Sequence, residues 1–320
     1  MEPRMAGASA ARADALYRIA QGLGADRSGA ERPYRDLRLS VGVAHDASFH
    51  PAISMATGTP DLAFAVARGE LDVAAVNPSA FMIMAYRGTG PFDEALPIRA
   101  LAVMPSWDRM AFAVSPKSGL NSIADIRKVR YPLQVSIRRN PAHATRFVAD
   151  EVLKAEGISL QDIESWGGRL HFVESPSQKS RLDGMANGSL DAVFDEGIKS
   201  WGKIALDQGM RFLPLGEQAT AHLNAIGWPL GPISRDLFPK LTEEIDGASF
   251  SGWPIFVRAD MTNDVAYQMI RSLDESKDGI VWDVPGTVSL KDLRADDDAA
   301  PAGIPFHPGA ERYYRVQGAI

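Results

Sequence analysis

Leu37, Leu39, Val41 and Val43 alternate with Arg38, Ser40, Gly42 and Ala44, the period of two that predicts a half-buried strand. Beyond it the pattern switches between short apolar runs and stretches with apolar positions three and four apart. Helices are predicted over 60–68 and 78–87, and strands over 71–76, 97–104 and 110–114. Strand, helix, strand, helix, strand is the alternation of a parallel sheet. A loop at 115–119 and a short helix at 123–127 follow, and then a second series begins. Its strands are predicted over 133–137, 170–173 and 190–194, with an outer strand at 212–215. Its helices are predicted over 141–156, 176–186 and 198–206, the first with Ala144, Phe147, Val148 and Val152 on one face. Dense Pro and Gly from 227 to 254 predict irregular connection. A strand at 255–257, a helix at 264–273, an acidic loop at 283–303 and a helix at 309–317 complete the chain. Residues 1–36 carry only a weak helical stripe (Leu16, Ile19, Ala20, Leu23) and read as a peripheral helical extension.

One unit occurs twice. Gly69-Glu70-Leu71-Asp72 and Gly188-Ser189-Leu190-Asp191 each follow a helical segment, open a short apolar strand, and lead to a polar loop. Glycine after a helix predicts a left-handed cap. The continuous apolar runs predict buried parallel strands. Two such units far apart predict two similar α/β lobes, with 37–114 and 252–320 in one and 115–251 in the other. Their polar loops fall at strand carboxyl ends, where open α/β sheets bind ligands.

Composition narrows the chemistry. The 320 residues have a net charge of −6 and no long basic run, which argues against a nucleic-acid partner. With no cysteine there is no disulfide, thiolate nucleophile or Cys-ligated metal. No segment approaches the ~20 apolar residues of a membrane span. Arg12, Asp14 and Arg18 interrupt the N-terminal region where a signal peptide needs an apolar core. The expectation is therefore the cytoplasm for the chain as written, or the periplasm if an export signal has been removed.

Three strand ends share a device: Asn77-Pro78, Asn140-Pro141 and Ser175-Pro176 each put a favoured cap residue before a proline that starts a helix. Each predicts free N–H groups and a positive helix end at a strand terminus, an anion site. Cap preference alone also accounts for any single one. Ser79 opens the helix after Asn77-Pro78 and belongs to the same candidate set. Arg138 and Arg139 precede the Asn140 cap, where a guanidinium can clamp a carboxylate; a solvated pair is the plain alternative. His143 follows two residues after Pro141. His45, Ser48, Phe49 and His50 follow the first strand, in a loop suited to hydrogen bonding. No third ligand at a recognisable spacing accompanies the two histidines, so no metal and no cofactor is expected. Asp195 and Glu196 end the repeated strand of the second lobe; they can accept from a ligand, and Asp195 can equally cap the next helix. Trp107 is a candidate cleft wall, as are Trp201 and Trp228, although core packing is the commoner fate of tryptophan. Walker A, GxGxxG and GxSxG signatures are absent.

The order of elements and several motifs resemble the TAXI-type solute receptors of TRAP transporters, within the type II periplasmic-binding-protein fold. The resemblance is carried by Arg68-Gly69-Glu70-Leu71-Asp72-Val73-Ala74, by residues 118–126, by residues 188–194, by Val257-Arg258-Ala259-Asp260, and by the ending His307-Pro308-Gly309-Ala310-Glu311-Arg312-Tyr313-Tyr314. It implies a two-lobed α/β protein, each lobe a mainly parallel sheet flanked by helices, that closes on a small organic anion such as a carboxylate. It also implies membrane transporter subunits as partners if the chain is exported. The loops at 45–50 and 138–145 depart from the family's Ser- and Gly-rich pattern, so ligand identity does not carry over. An enzyme on the same fold, a decarboxylase or lyase of a small aromatic or oxo acid, is the alternative expectation. A ligand-sensing module using residues 1–36 is a third.

Overall fold

In the computed structural model the described residues are 37–40, 52–57, 60–279, 282 and 287–320, and their strands form two sheets. The first sheet runs, in space, β1 (Leu37–Ser40), β2 (Ala52–Thr57), β3 (Val73–Asn77), β12 (Trp253–Arg258), β4 (Ile98–Met104). The second runs β10 (Leu230–Ile233), β11 (Ile245–Ser249), β5 (Arg109–Val114), β8 (Ala192–Asp195), β6 (Gln134–Arg138), β7 (Arg169–Val173), with β9 (Arg211–Leu213) also paired to β5. Helices α1 (Asp61–Ala67), α2 (Ser79–Arg87), α9 (Asn263–Ser276) and α10 (Pro308–Val316) belong to the first lobe. Helices α3 (Ile123–Val129), α4 (Ala144–Ala155), α5 (Leu160–Ser165), α6 (Lys179–Asn187), α7 (Ile198–Asp207) and α8 (Glu217–Ile226) belong to the second.

The repeated unit occupies equivalent places. Gly69 and Gly188 both adopt positive φ (73° and 72°) after a helix, and Leu71 and Leu190 are both buried. β3 lies between parallel β2 and antiparallel β12; β8 lies between parallel β6 and antiparallel β5. The sheets are thus mixed rather than mainly parallel. β5 pairs only within the second sheet, so the chain passes from the first sheet to the second over residues 105–108 and back over 250–252.

Two stretches that the sequence pattern did not assign to strands form strands. β2 precedes α1 and pairs antiparallel with β1. Within 227–254, β10 and β11 form an antiparallel pair at the sheet edge, where Pro232 needs no outward donor. Gly231 is required there because the Arg109 guanidinium occupies the place of a Cβ. The His-Pro-Gly-Ala ending is a docking device. His307 caps α10, its Nδ1 accepting from Gly309 N and its other nitrogen 3.0 Å from Met261 O, while Tyr314 donates to Leu101 O.

The lobes meet in an aromatic seam. Phe81 of α2 contacts Phe147 of α4 and the edge of Trp228, with ring centroids 5.7 and 5.6 Å apart, and Phe250 abuts Trp228 at 5.3 Å. Phe81, Trp228 and Phe250 are buried. Each fully buried aromatic contributes about 2–3 kcal/mol of transfer free energy, so this seam holds the lobes together.

Candidate functional site

Strand ends of both lobes converge beside the seam. At the end of β3 the Asn77–Pro78 peptide is cis, Pro78 takes the capping position and Ser79 begins α2. Asn77 therefore does not cap the helix. Its Oδ1 and the Ser79 Oγ are buried without a hydrogen-bond partner, while Ser79 N donates to Ser251 O. Across the seam, α4 begins three residues later than the sequence predicts. Asn140 closes a turn by accepting from Ala142 N, and His143 is the cap, its Nδ1 accepting from Thr145 N at 3.2 Å. The Thr145 Oγ1 is likewise buried and unpartnered. The third predicted start also shifts: α6 is preceded by Gln178, and Ser175 is exposed in the turn before it. Proline starts the turn in these two cases, and the helix forms only after it.

His143 Nδ1 accepts, so the ring proton is on Nε2. Burial, and then the charge of Arg138, bring its pKa down to about 4, and the ring is neutral near pH 7. Arg138 is buried and bonded to the protein through all three of its nitrogens. Its Nε donates to both Asp195 oxygens at 2.9 and 3.0 Å, Nη1 to Glu174 O at 2.8 Å, and Nη2 to Glu196. Burial opposes its charge, but Asp195 and Glu196 outweigh burial and raise its pKa. Arg138 in this conformation is thus a counter-ion to protein carboxylates, each of its three nitrogens donating to the protein. Arg139 points the other way. It is exposed, pairs with Glu174 and lies over the Phe172 ring. Strand alternation separates the two arginines, and the partners of each are set by distant segments.

Arg181, Arg109 and Asp108 belong to this network and were not singled out in the sequence. Arg181 on α6 is 1 % exposed, donates from Nε to Ser136 Oγ at 2.9 Å, and reaches Asp195 from Nη1. Arg109, fully buried at the start of β5, donates to Asp108 O, Ser249 Oγ, Ser251 Oγ and Asp298. Trp107 stacks on Arg109 at 4.9 Å and donates to Asp298 at 3.0 Å. Asp108 accepts from Arg109 N and Gly197 N, and its side chain is hydrogen-bonded to Glu196. Burial pushes both carboxyls upward; the mutual hydrogen bond raises Glu196 and lowers Asp108. Glu196 therefore holds the proton and Asp108 accepts it. The available signal was a charged pair, Asp108-Arg109, leading directly into an apolar strand.

Of the predicted residues, Asn77, Ser79, His143, Arg138, Asp195 and Glu196 lie along this junction, and Trp107 borders it. Arg139, Asn140 and Ser175 fall outside it. His45, Ser48, Phe49 and His50 lie outside the described residues. Among the described residues no group of three or more His, Asp or Glu is disposed to hold a metal ion, and no helix is long and apolar enough to cross a membrane.

Two mixed sheets flanked by helices, with polar strand ends gathered where they meet, define a two-lobed α/β protein. The chain belongs to the NMT1-like family, whose model matches residues 44–318. Similar solved structures include the alkanesulfonate-binding protein SsuA from Xanthomonas axonopodis pv. citri bound to MOPS (17% identity, 81% of this chain and 70% of that one, TM-score 0.31). The glycine betaine/L-proline-binding protein ProX from Borrelia burgdorferi is similar at 13% identity, over 81% and 80% of the two chains, with a TM-score of 0.37. A periplasmic binding protein from Brucella ovis with glutathione bound is similar at 15% identity, over 68% of this chain and 53% of that one, with a TM-score of 0.31.

Proposed function

We propose that the chain is a solute-binding protein that takes a small organic carboxylate between the first turns of α2 and α4. The observation that carries this reading is the set of buried, unpartnered oxygens at the two helix starts: Asn77 Oδ1, Ser79 Oγ and Thr145 Oγ1. Phe81 and Phe147, one turn into each helix, are in contact, so the two helix starts come from opposite lobes to one place. Hydroxyls and a positive helix end at each side suit a carboxylate. The Nε2–H of neutral His143 adds a donor, and Asn77 Oδ1 calls for a donor on the ligand, such as a hydroxyl or amino group. Arg138 is held on the protein side by Asp195 and Glu196, which fix its position beside the site. Binding by both lobes favours the closed form through its greater affinity for ligand.

The experiment is a thermal-shift screen of hydroxy, oxo and amino carboxylates, followed by titration of hits with Ser79→Ala and Thr145→Val. At least one carboxylate is expected to raise the melting temperature, and each substitution to weaken it tenfold or more. The reading fails if no carboxylate stabilises the protein, or if both variants bind a hit unchanged. A TAXI-type receptor delivering to membrane transporter subunits is the finer form of this proposal. Fractionation of cells expressing the gene from its natural start tests it, through periplasmic recovery.

One observation favours an enzyme on the same fold. Glu196 keeps its proton beside the Asp108 carboxylate, an arrangement suited to acid–base work on an oxo acid. Chemical conversion of a bound carboxylate would decide for it.

A further inference from the structure

A polar feature that the cleft does not use lies on the outer part of the second lobe. Between β7 and α6 runs a groove of about 310 Å³ whose walls include Arg139, Arg169, His171, Phe172, Ser180 and Arg181, and no carboxylate. β7 is the edge of its sheet, so one side is open. The parallel register sets Arg169 beside Gln134 and His171 beside Ser136, and alternation puts all four on one face. α6 crosses that face, since Arg181 Nε donates to Ser136 Oγ. Arg169, His171 and Arg181 therefore converge, with Ser180 exposed in the first turn of α6 above them. Arg139 and Phe172 form the outer rim, 5.8 Å from guanidinium to ring.

These arginines are not equally satisfied. Arg139 has Glu174. Arg169 has no carboxylate partner among the described residues. Arg181 is 1 % exposed, and while Asp195 takes its Nη1, its Nη2 is buried with no hydrogen-bond partner. A buried guanidinium N–H left unmade is costly, and an anion in the groove would complete it. The three guanidinium groups come from just after β6, the start of β7 and the first turn of α6, so they approach from different directions. A planar carboxylate uses one fork; a tetrahedral dianion presents oxygens to several.

We propose that this groove is a second binding site, for a phosphate group held by Arg181 and Arg169 with the Ser180 hydroxyl. The group is either inorganic phosphate or the phosphate of a small monoester. Arg181 also touches Asp195, which holds Arg138, so one charged side chain links the groove to the Arg138 network.

Calorimetric titration of the full chain with inorganic phosphate, with glycerol phosphate, and with sodium chloride at matched ionic strength tests it. Saturable one-site binding is expected for a phosphate and none for chloride. Tighter binding of the ester assigns the site to esters, and the reverse to the free ion. Arg181 is buried and its loss would disturb folding, so the diagnostic changes are at exposed positions. Arg169→Gln is expected to weaken phosphate at least tenfold, and Ser180→Asp to abolish it, both with wild-type melting in phosphate-free buffer. No saturable binding of either phosphate, or unchanged affinity in both variants, would overturn the proposal.

Discussion

His143 stands at the start of α4 with Nδ1 accepting from Thr145 N, so a second ring proton must displace that bond inside a buried site. Its pKa falls from 6.5 to about 4 on folding. Between those values the unfolded chain binds more protons than the native one. Stability from this group is therefore full above pH 6.5 and is lost as the pH falls towards 4, by about 3 kcal/mol in all. Glu196 acts in the opposite sense. Its raised pKa means the native state holds a proton that the unfolded chain releases above its ordinary range, so stability declines as pH rises from there until the native carboxyl ionises. The slope is at most about 1.4 kcal/mol per pH unit. His143→Asn keeps a capping oxygen and should flatten the acid-side loss. Glu196→Gln keeps a donor to Asp108 and should flatten the loss at higher pH. Urea denaturation across pH 4–9 reads both, and parallel curves for variants and wild type would contradict them. The residue types at this site were legible in the sequence; their pairing was not. Arg138 meets Asp195 across 57 positions of sequence, and no local pattern chooses between that carboxylate and a ligand's.

The sequence pattern located most helices and the buried strands because burial follows the 3.6 and 2 periods directly. It missed β2, and also β10 and β11, whose Gly, Ser and Pro content reads as loop. Gly231 and Pro232 are tolerated in β10 only because Arg109 passes one and the sheet edge frees the other. It also set the helix starts after Asn140 and Ser175 too early, since the proline turn precedes the helix in both. The α2–α4 contact belongs to this scale. Phe81 packs on Phe147 and Trp228, and Phe81→Ala should cost about 3–5 kcal/mol, more than an aromatic on a free surface would. Equilibrium denaturation measures it; a loss below about 1 kcal/mol would mean that the seam does not carry load.

At the scale of the whole molecule, one apolar cluster runs through both lobes, from Leu62 and Phe81 to Phe147, Trp228 and Tyr314. Lobes joined by a polar interface melt separately; lobes sharing a buried core melt together. Scanning calorimetry of the full chain is expected to show one transition, and two resolved transitions would refute a shared core. The sequence by itself determined the alternation of elements, the duplicated glycine-capped unit and therefore two α/β lobes, because each of these depends on neighbours within a few turns of chain. Only the tertiary structure decided that β12 enters the first sheet antiparallel between β3 and β4, and that β5 belongs to the second. It alone decided that Arg138 and Arg181 share Asp195. Strand direction, sheet membership and the choice of ion partner are settled by contacts between segments far apart in the chain, and periodicity carries no information about those.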